Sequence, residues 1–233
     1  MKECVKKCLG EIIVSCQAYE DTPFYGPDNI KRFVECAMMG GANVVRCCWP
    51  ADIKAARSLS DDLVIVGINK TNRSEGGSLS DIFITPTYES AVEVIEAGAN
   101  IVALDTRITE KRGKDELLEL LKQLHDNYPE IGIMADCATF EEGVFVAESG
   151  YVDIVSTTLS GMVSKEPGPD LKLLERFKES LSVPINAEGR VWELADIASV
   201  NAGKADMITI GTAITRPHLI TKRFVDYYNK IRD

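Results

Sequence analysis

Short apolar runs recur along the whole chain, and several of them close on a single polar residue. Ile12-Ile13-Val14-Ser15-Cys16 closes on Gln17, Asn43-Val44-Val45 on Arg46, and Leu63-Val64-Ile65-Val66-Gly67-Ile68-Asn69 on Lys70. Ile101-Val102-Ala103-Leu104 closes on Asp105, Ile131-Gly132-Ile133-Met134-Ala135 on Asp136, and Val183-Pro184-Ile185-Asn186-Ala187 on Glu188. Runs rich in Val and Ile with little alternation suit strands of a parallel sheet buried on both faces. They place strands at Ile12–Cys16, Val44–Arg46, Val64–Ile68, Ile101–Asp105, Gly132–Asp136, Asp153–Thr157, Pro184–Glu188 and Met207–Ile210. Eight is a number that closes a barrel. Polar groups at the carboxyl ends of barrel strands are where (β/α)8 enzymes keep their active sites. Asp81–Pro86 imitates a ninth strand and is assigned instead to the long connection after Lys70. The expected fold is α/β, a single (β/α)8 TIM barrel over residues 1–233, with residues 1–10 as an N-terminal helical extension.

The segments between the runs read as helices. Ile30, Phe33, Val34, Ala37 and Met38 make one apolar stripe, and Leu117, Leu120, Leu121 and Leu124 a second. Thr139-Phe140-Glu141-Glu142 has the spacing of a capping box. Pro217 suits the first turn of a last helix carrying Ile220, Phe224, Val225 and Tyr228. A helix, a glycine, then Asn or Asp before a strand recurs at Gly41, Gly98, Gly150 and Gly203, as alternating α/β architecture requires. Asn72–Ser80, with Gly76 and Gly77, reads as a flexible loop over the mouth of the barrel.

Composition narrows the partners. A net charge of −10 disfavours nucleic acid and anionic membrane, both of which reward basic surfaces. A phosphorylated small molecule remains admissible, because it meets only the field of its own pocket. Seven cysteines, several inside apolar runs, read as free buried thiols in a reducing compartment, which places the protein in the cytoplasm. No run is long enough to span a bilayer, and residues 1–12 lack a signal-peptide core. A homodimer is admitted.

The C-terminal quarter carries the sharpest site. Glu188 is followed by Gly189 and Arg190, and the last strand by Gly211, Thr212 and Thr215-Arg216-Pro217. Glycines after the seventh and eighth strands let backbone N–H groups approach a phosphate, and Arg216 can add a charged contact. Otherwise these glycines only close tight turns. Lys70 is either a base, its neutral form favoured by lost solvation, or a side chain snorkelling to water. Glu188 is either its proton-transfer partner or a carboxylate satisfied by neighbouring cations. Arg46 and Asp136 can pair with each other and with sugar hydroxyls, and Gln17 offers a donor and an acceptor. Asp105, followed by Thr106-Arg107, lacks the Asp-x-Lys spacing of phosphosugar decarboxylases and reads as structural or supporting. His125 and His218 fall on helices, Cys47-Cys48 has no metal-ligand spacing, and Met38-Met39 reads as core.

At these residues the chain resembles the N-acetylmannosamine-6-phosphate 2-epimerases of bacterial sialic acid catabolism. The phrases Ile13-Val14-Ser15-Cys16-Gln17-Ala18, Val102-Ala103-Leu104-Asp105 and Met134-Ala135-Asp136-Cys137-Ala138-Thr139 carry it. So do Thr157-Thr158-Leu159-Ser160-Gly161, Ala187-Glu188-Gly189-Arg190 and Ala213-Ile214-Thr215-Arg216-Pro217. The resemblance implies a (β/α)8 barrel interconverting N-acetylmannosamine 6-phosphate and N-acetylglucosamine 6-phosphate with no metal and no organic cofactor. It implies Lys70 as the catalytic lysine and Glu188 as the carboxylate beside it. Gln17, Arg46 and Asp136 would contact substrate, and Arg216 would lie near the phosphate, beside the Gly189, Arg190, Gly211 and Thr212 read from the strand ends as its site. Three stretches depart from the family pattern near the mouth: Thr71-Asn72-Arg73, Cys47-Cys48-Trp49 and Gly161-Met162-Val163. They bear on the identity of the substrate more than on proton chemistry. The alternatives are a decarboxylase or aldolase on a related phosphosugar, or a non-catalytic phosphosugar-binding protein.

Overall fold

The computed structural model describes residues 1–74 and 80–232. The eight strands are β1 (Ile12–Cys16), β2 (Val44–Cys48), β3 (Val64–Ile68), β4 (Ile101–Asp105), β5 (Gly132–Asp136), β6 (Ile154–Ser156), β7 (Ile185–Glu188) and β8 (Met207–Ile210). All pair in parallel in chain order, and β8 returns to β1 to close a TIM barrel. Within the seemingly uniform apolar runs, the two-residue period of a strand separates two cores. Ile13, Val44, Val66, Ile101, Met134, Ile154 and Met207 fill the barrel. Val14, Val45, Ile65, Val102, Ile133, Val155 and Ile208 face the surrounding helices.

Those helices are α1 (Glu3–Lys6), α2 (Pro27–Met39), α3 (Pro50–Arg57), α4 (Tyr88–Glu96), α5 (Lys114–Asn127) and α6 (Phe140–Glu148). They continue with α7 (Leu171–Ser180), α8 (Leu194–Ala202), α9 (Thr212–Thr215) and α10 (Pro217–Ile231). The stripe of α2 buries Ile30, Val34 and Ala37, and that of α5 buries Leu117, Leu120, Leu121 and Leu124. Thr139 caps α6, its side chain accepting from the Glu142 amide while the Glu142 carboxylate accepts from the Thr139 amide. Such a cap contributes about 1 kcal/mol. The N-terminal extension does more than precede the barrel. Val5 and Cys8 are fully buried in the interior cluster, beneath the start of the strands, so this segment stoppers the barrel's N-terminal end.

One expectation needs correction, and two features go beyond what the sequence reading stated. Met39 is exposed rather than core, and only Met38 packs against the apolar layer. The last helix forms, but α10 buries none of its residues; Phe224, Val225, Tyr227 and Tyr228 all face solvent. An amphipathic pattern specifies an apolar face, and among the described residues no element covers it. Finally, the connection after Lys70 is not mere loop. Phe83 and Ile84 are buried in the interior cluster. The Asp105 amide donates to the Ile84 carbonyl at 2.9 Å, and the Thr85 amide donates to the Asn69 carbonyl at 2.8 Å. This segment wedges between the carboxyl ends of β3 and β4, where only Val66–Ile101 and Gly67–Val102 stand in register. Of the loop read over 72–80, residues 75–79 lie outside the described residues. Among the described residues no helix is long and apolar enough to cross a membrane.

Candidate active site

Strand register gathers the polar residues into one layer above the apolar filling. Ser15 pairs with Arg46, Asp136 with Ser156, Ser156 with Asn186, and Glu188 with Thr209. Ser15, Arg46, Asp136, Ser156 and Thr209 point inward because each follows an interior apolar residue at a spacing of two, Ile13, Val44, Met134, Ile154 and Met207 in turn. Glu188 shares its face with Asn186 at the same spacing. The carboxyl ends of the strands therefore carry a connected polar network, with apolar packing below it.

At its centre Arg46 grips Asp136 in a fork, Nη1 to Oδ1 at 3.1 Å and Nη2 to Oδ2 at 2.5 Å. Nη1 also reaches Glu188 Oε2 at 3.0 Å. The side chains of Arg46 and Asp136 are 1% and 0% exposed, and that of Glu188 is 14% exposed. Burial alone would pull the Arg46 guanidinium down; Asp136 and then Glu188 reverse this and hold it above its ordinary value. For Glu188 burial dominates and raises the carboxyl above the usual range. Arg46 opposes that rise, while the nearby Asp136 charge adds to it. Thr158 lies between the carboxylates, its Oγ1 at 2.6 Å from Asp136 Oδ1 and 3.1 Å from Glu188 Oε2. Ser156 stands 2.7 Å from Thr158, and Asn186 donates to Ser156 at 2.8 Å while accepting from Thr209 at 3.0 Å.

A cavity of about 180 Å³ opens on this network. Lys70 and Glu188 line it together with Gln17, Gly189, Arg190, Gly211, Thr212 and Arg216, so the structure gathers eight of the ten expected site residues around one space. Arg46 and Asp136 lie behind Glu188 and reach the space through it. The Lys70 amine donates to the Tyr19 hydroxyl at 2.8 Å. Gln17 donates to Ser15 Oγ at 2.6 Å, and its buried Oε1 has no partner among the described residues. Arg190 borders the cavity, yet its guanidinium donates to the Ser164 and Glu166 carbonyls, each at 2.9 Å. That side chain ties down the loop after β6. Gly189 adopts φ 106°, a conformation open to glycine and strained for other residues. Asp105 lies outside the cavity, its carboxylate bound to the Arg107 guanidinium at 2.7 Å. Among the described residues no group of three or more His, Cys, Asp or Glu side chains gathers as a metal would need.

The family model described as "Putative N-acetylmannosamine-6-phosphate epimerase" matches residues 30–230. The chain belongs to this NanE family. A relative from Caldanaerobacter subterraneus subsp. tengcongensis, named "Putative N-acetylmannosamine-6-phosphate 2-epimerase", is 39% identical over 98% of this chain and 95% of its own. One of the same name from Clostridioides difficile is 37% identical over 94% and 96%. The solved N-acetylmannosamine-6-phosphate 2-epimerase of Clostridium perfringens superimposes with a TM-score of 0.86 at 32% identity, covering 96% of this chain and 95% of that one. An aldolase at 18% identity and a TM-score of 0.64 shares the fold alone.

Within this NanE-family site, reading residues singly missed Thr158, Ser156, Asn186 and Tyr19. Thr158 sits in a quoted family phrase, Thr157-Thr158-Leu159-Ser160-Gly161, but nothing local marks it as the group between two carboxylates. Asn186 lies in the middle of a strand run, where only the two-residue spacing to Glu188 signals a shared face. Tyr19 has no sequence signal beyond standing two residues after Gln17. Two of the three departures from the family pattern also meet in space. Trp49 donates from Nε1 to the Lys70 carbonyl at 2.9 Å, and the Arg73 guanidinium lies over its ring.

Proposed function

We propose that this protein interconverts N-acetylmannosamine 6-phosphate and N-acetylglucosamine 6-phosphate by moving the proton at C2. The observation that carries the reading is one cavity lined by both Lys70 and Glu188, with Gly189, Gly211, Thr212 and Arg216 at its edge. The C2 proton of the open-chain sugar is acidified by the adjacent aldehyde carbonyl. Lys70 removes it to give an enolate, and a proton returns on the other face. Glu188, its carboxyl raised by burial, is suited to carry a proton to and from O5 or O1 during ring opening. Arg46, itself forked to Asp136, holds Glu188 in place, and the Gln17 Oε1 would accept from a sugar hydroxyl. Phosphate contacts far from C2 supply binding energy that positions the reacting carbon.

We infer that the protein works in the amino-sugar branch of sialic acid catabolism, in the cytoplasm, a reading supported by its free, mostly buried cysteines. We further infer a homodimer. Its support is α10, whose exposed Phe224, Val225, Tyr227 and Tyr228 form an apolar face larger than scattered surface residues require. Sedimentation at micromolar concentration should give twice the 25.6 kDa of the chain. A monomer that persists there sinks the dimer without touching the activity.

The activity itself is tested by incubating the protein with N-acetylmannosamine 6-phosphate in deuterated water and following C2 by proton NMR. Gluco epimer carrying deuterium at C2 is the expected product. Tight substrate binding with neither conversion nor exchange would overturn the reading in favour of a phosphosugar-binding protein.

A further inference from the structure

Lys70 is held at both ends by aromatic side chains to which the reaction above gives no part. The Trp49 indole donates to its main-chain carbonyl at 2.9 Å, and its amine donates to the Tyr19 hydroxyl at 2.8 Å. The two rings meet edge to face, with centroids 6.1 Å apart and planes at 78°. Tyr19 is 6% exposed and Trp49 4%. Over the Tyr19 ring stands Arg216, its guanidinium carbon 4.7 Å from the centroid. One phenol thus touches the amine through its hydroxyl and the arginine through its ring.

The backbone shows how firmly this arrangement is imposed. Trp49 adopts φ 68° and ψ 142°, a conformation that favours glycine and costs other residues about 1–3 kcal/mol. Its surroundings over-determine it. Its amide donates to the Ile68 carbonyl at 2.8 Å, Tyr25 packs edge-on at 5.9 Å, and Arg73 stacks at 4.6 Å. The Glu20 amide donates to the Arg73 carbonyl at 3.1 Å, fastening the segment after β1 to the segment after β3. A residue needed only to cover the barrel would require neither a hydroxyl at the lysine amine nor a strained backbone.

A lysine amine on its four-carbon stem samples many positions unless something fixes it. Misplacing a reacting group by about 1 Å can cost about a hundredfold in rate. We propose that Tyr19 is a positioning residue. Its hydroxyl fixes the Lys70 amine at the cavity, its ring face fixes Arg216, and Trp49 locks the ring. Base and phosphate-facing arginine are thereby set at a constant separation. This inference rests on the reading of Lys70 as the base and Arg216 as the phosphate contact.

The test compares Tyr19→Phe, Tyr19→Leu and Lys70→Met for C2 exchange in deuterated water, kcat, KM and melting temperature. Tyr19→Phe keeps the ring and loses the hydroxyl. It should lower kcat by about tenfold or more while KM stays within about twofold, because placement of the base is lost and binding is not. Tyr19→Leu should in addition raise KM, since Arg216 loses its platform. Wild-type kcat in Tyr19→Phe overturns the proposal, as does a loss of kcat matched by an equal rise in KM. Should Tyr19→Leu fail to fold, Tyr19→Phe decides alone. The outcomes separate: a silent Lys70→Met beside a fully active Tyr19→Phe leaves the base standing and removes Tyr19. A Lys70→Met that exchanges at the native rate removes both.

Discussion

Arg46 and Asp136 meet through two parallel hydrogen bonds in the dry interior of the barrel, and neither side chain is more than 1% exposed. Removing one partner of such a pair leaves the other as an uncompensated buried charge, at a cost of about 3–5 kcal/mol. Asp136→Asn should therefore lower the urea midpoint steeply while leaving the m-value unchanged. A loss below about 1 kcal/mol would mean that Glu188 alone satisfies Arg46.

Thr158 places one hydroxyl within reach of both Asp136 and Glu188. Its hydrogen bond opposes the rise that burial imposes on the Glu188 carboxyl, so removing it should raise that carboxyl further. Thr158→Val is nearly isosteric and should keep the fold. The limb of the kcat/KM profile that reports Glu188 should move to higher pH. An unmoved profile would show that the hydroxyl serves Asp136 only.

Asp52, in the first turn of α3, is 3% exposed and one of its oxygens has no partner among the described residues. Burial pushes its carboxyl up to about 7, against the pull of Arg73. A carboxyl raised on folding favours the native state only while protonated. That contribution is complete below the ordinary value of 3.8 and is lost as pH rises through about 7. Asp52→Asn should therefore gain stability over the parent by up to about 1.4 kcal/mol per pH unit across that window. Urea titrations at pH 5 and pH 8 measure the difference, and equal effects at both would refute the assignment.

The seven cysteines offer a check on the packing. Cys36 is exposed, Cys4 intermediate, and Cys8, Cys16, Cys47, Cys48 and Cys137 are buried. Burial pushes the Cys48 thiol up to about 11, so it resists thiolate chemistry at neutral pH as well as access. A thiol reagent should label Cys36 quickly in the native protein and the buried five only on unfolding. Rapid native labelling of Cys47 would show the outer core open beside β2, and of Cys48 the barrel interior.

The strands were legible because runs of Val and Ile carry their own signal, and the polar residue closing each run marked the mouth. Inside and outside could not be separated, since both faces of the lower strands are apolar. Only register shows that Ser156 and Asn186 join Asp136, because their adjacency arises across strands and not along them. The same holds for Tyr19 and Trp49, which reach Lys70 from 51 and 21 residues away. In α10 the apolar stripe was legible, but not what covers it. Arg190 was legible as a charge beside the cavity; that its guanidinium would turn to the Ser164 and Glu166 carbonyls follows from the loop's path alone.

The wedge between β3 and β4 separates two kinds of change. Lys70 and Ile84 face each other in an antiparallel bridge, and the residues on either side are laced to Asn69 and Asp105. This bridge knots the two ends of the connection together at the neck. Chain added or removed above the knot alters closure entropy only slowly, by about 0.6 kcal/mol for each doubling of length. Strand alignment below does not feel it. Changes of length in the connection above the bridge can thus leave Lys70 in the same place at the end of β3.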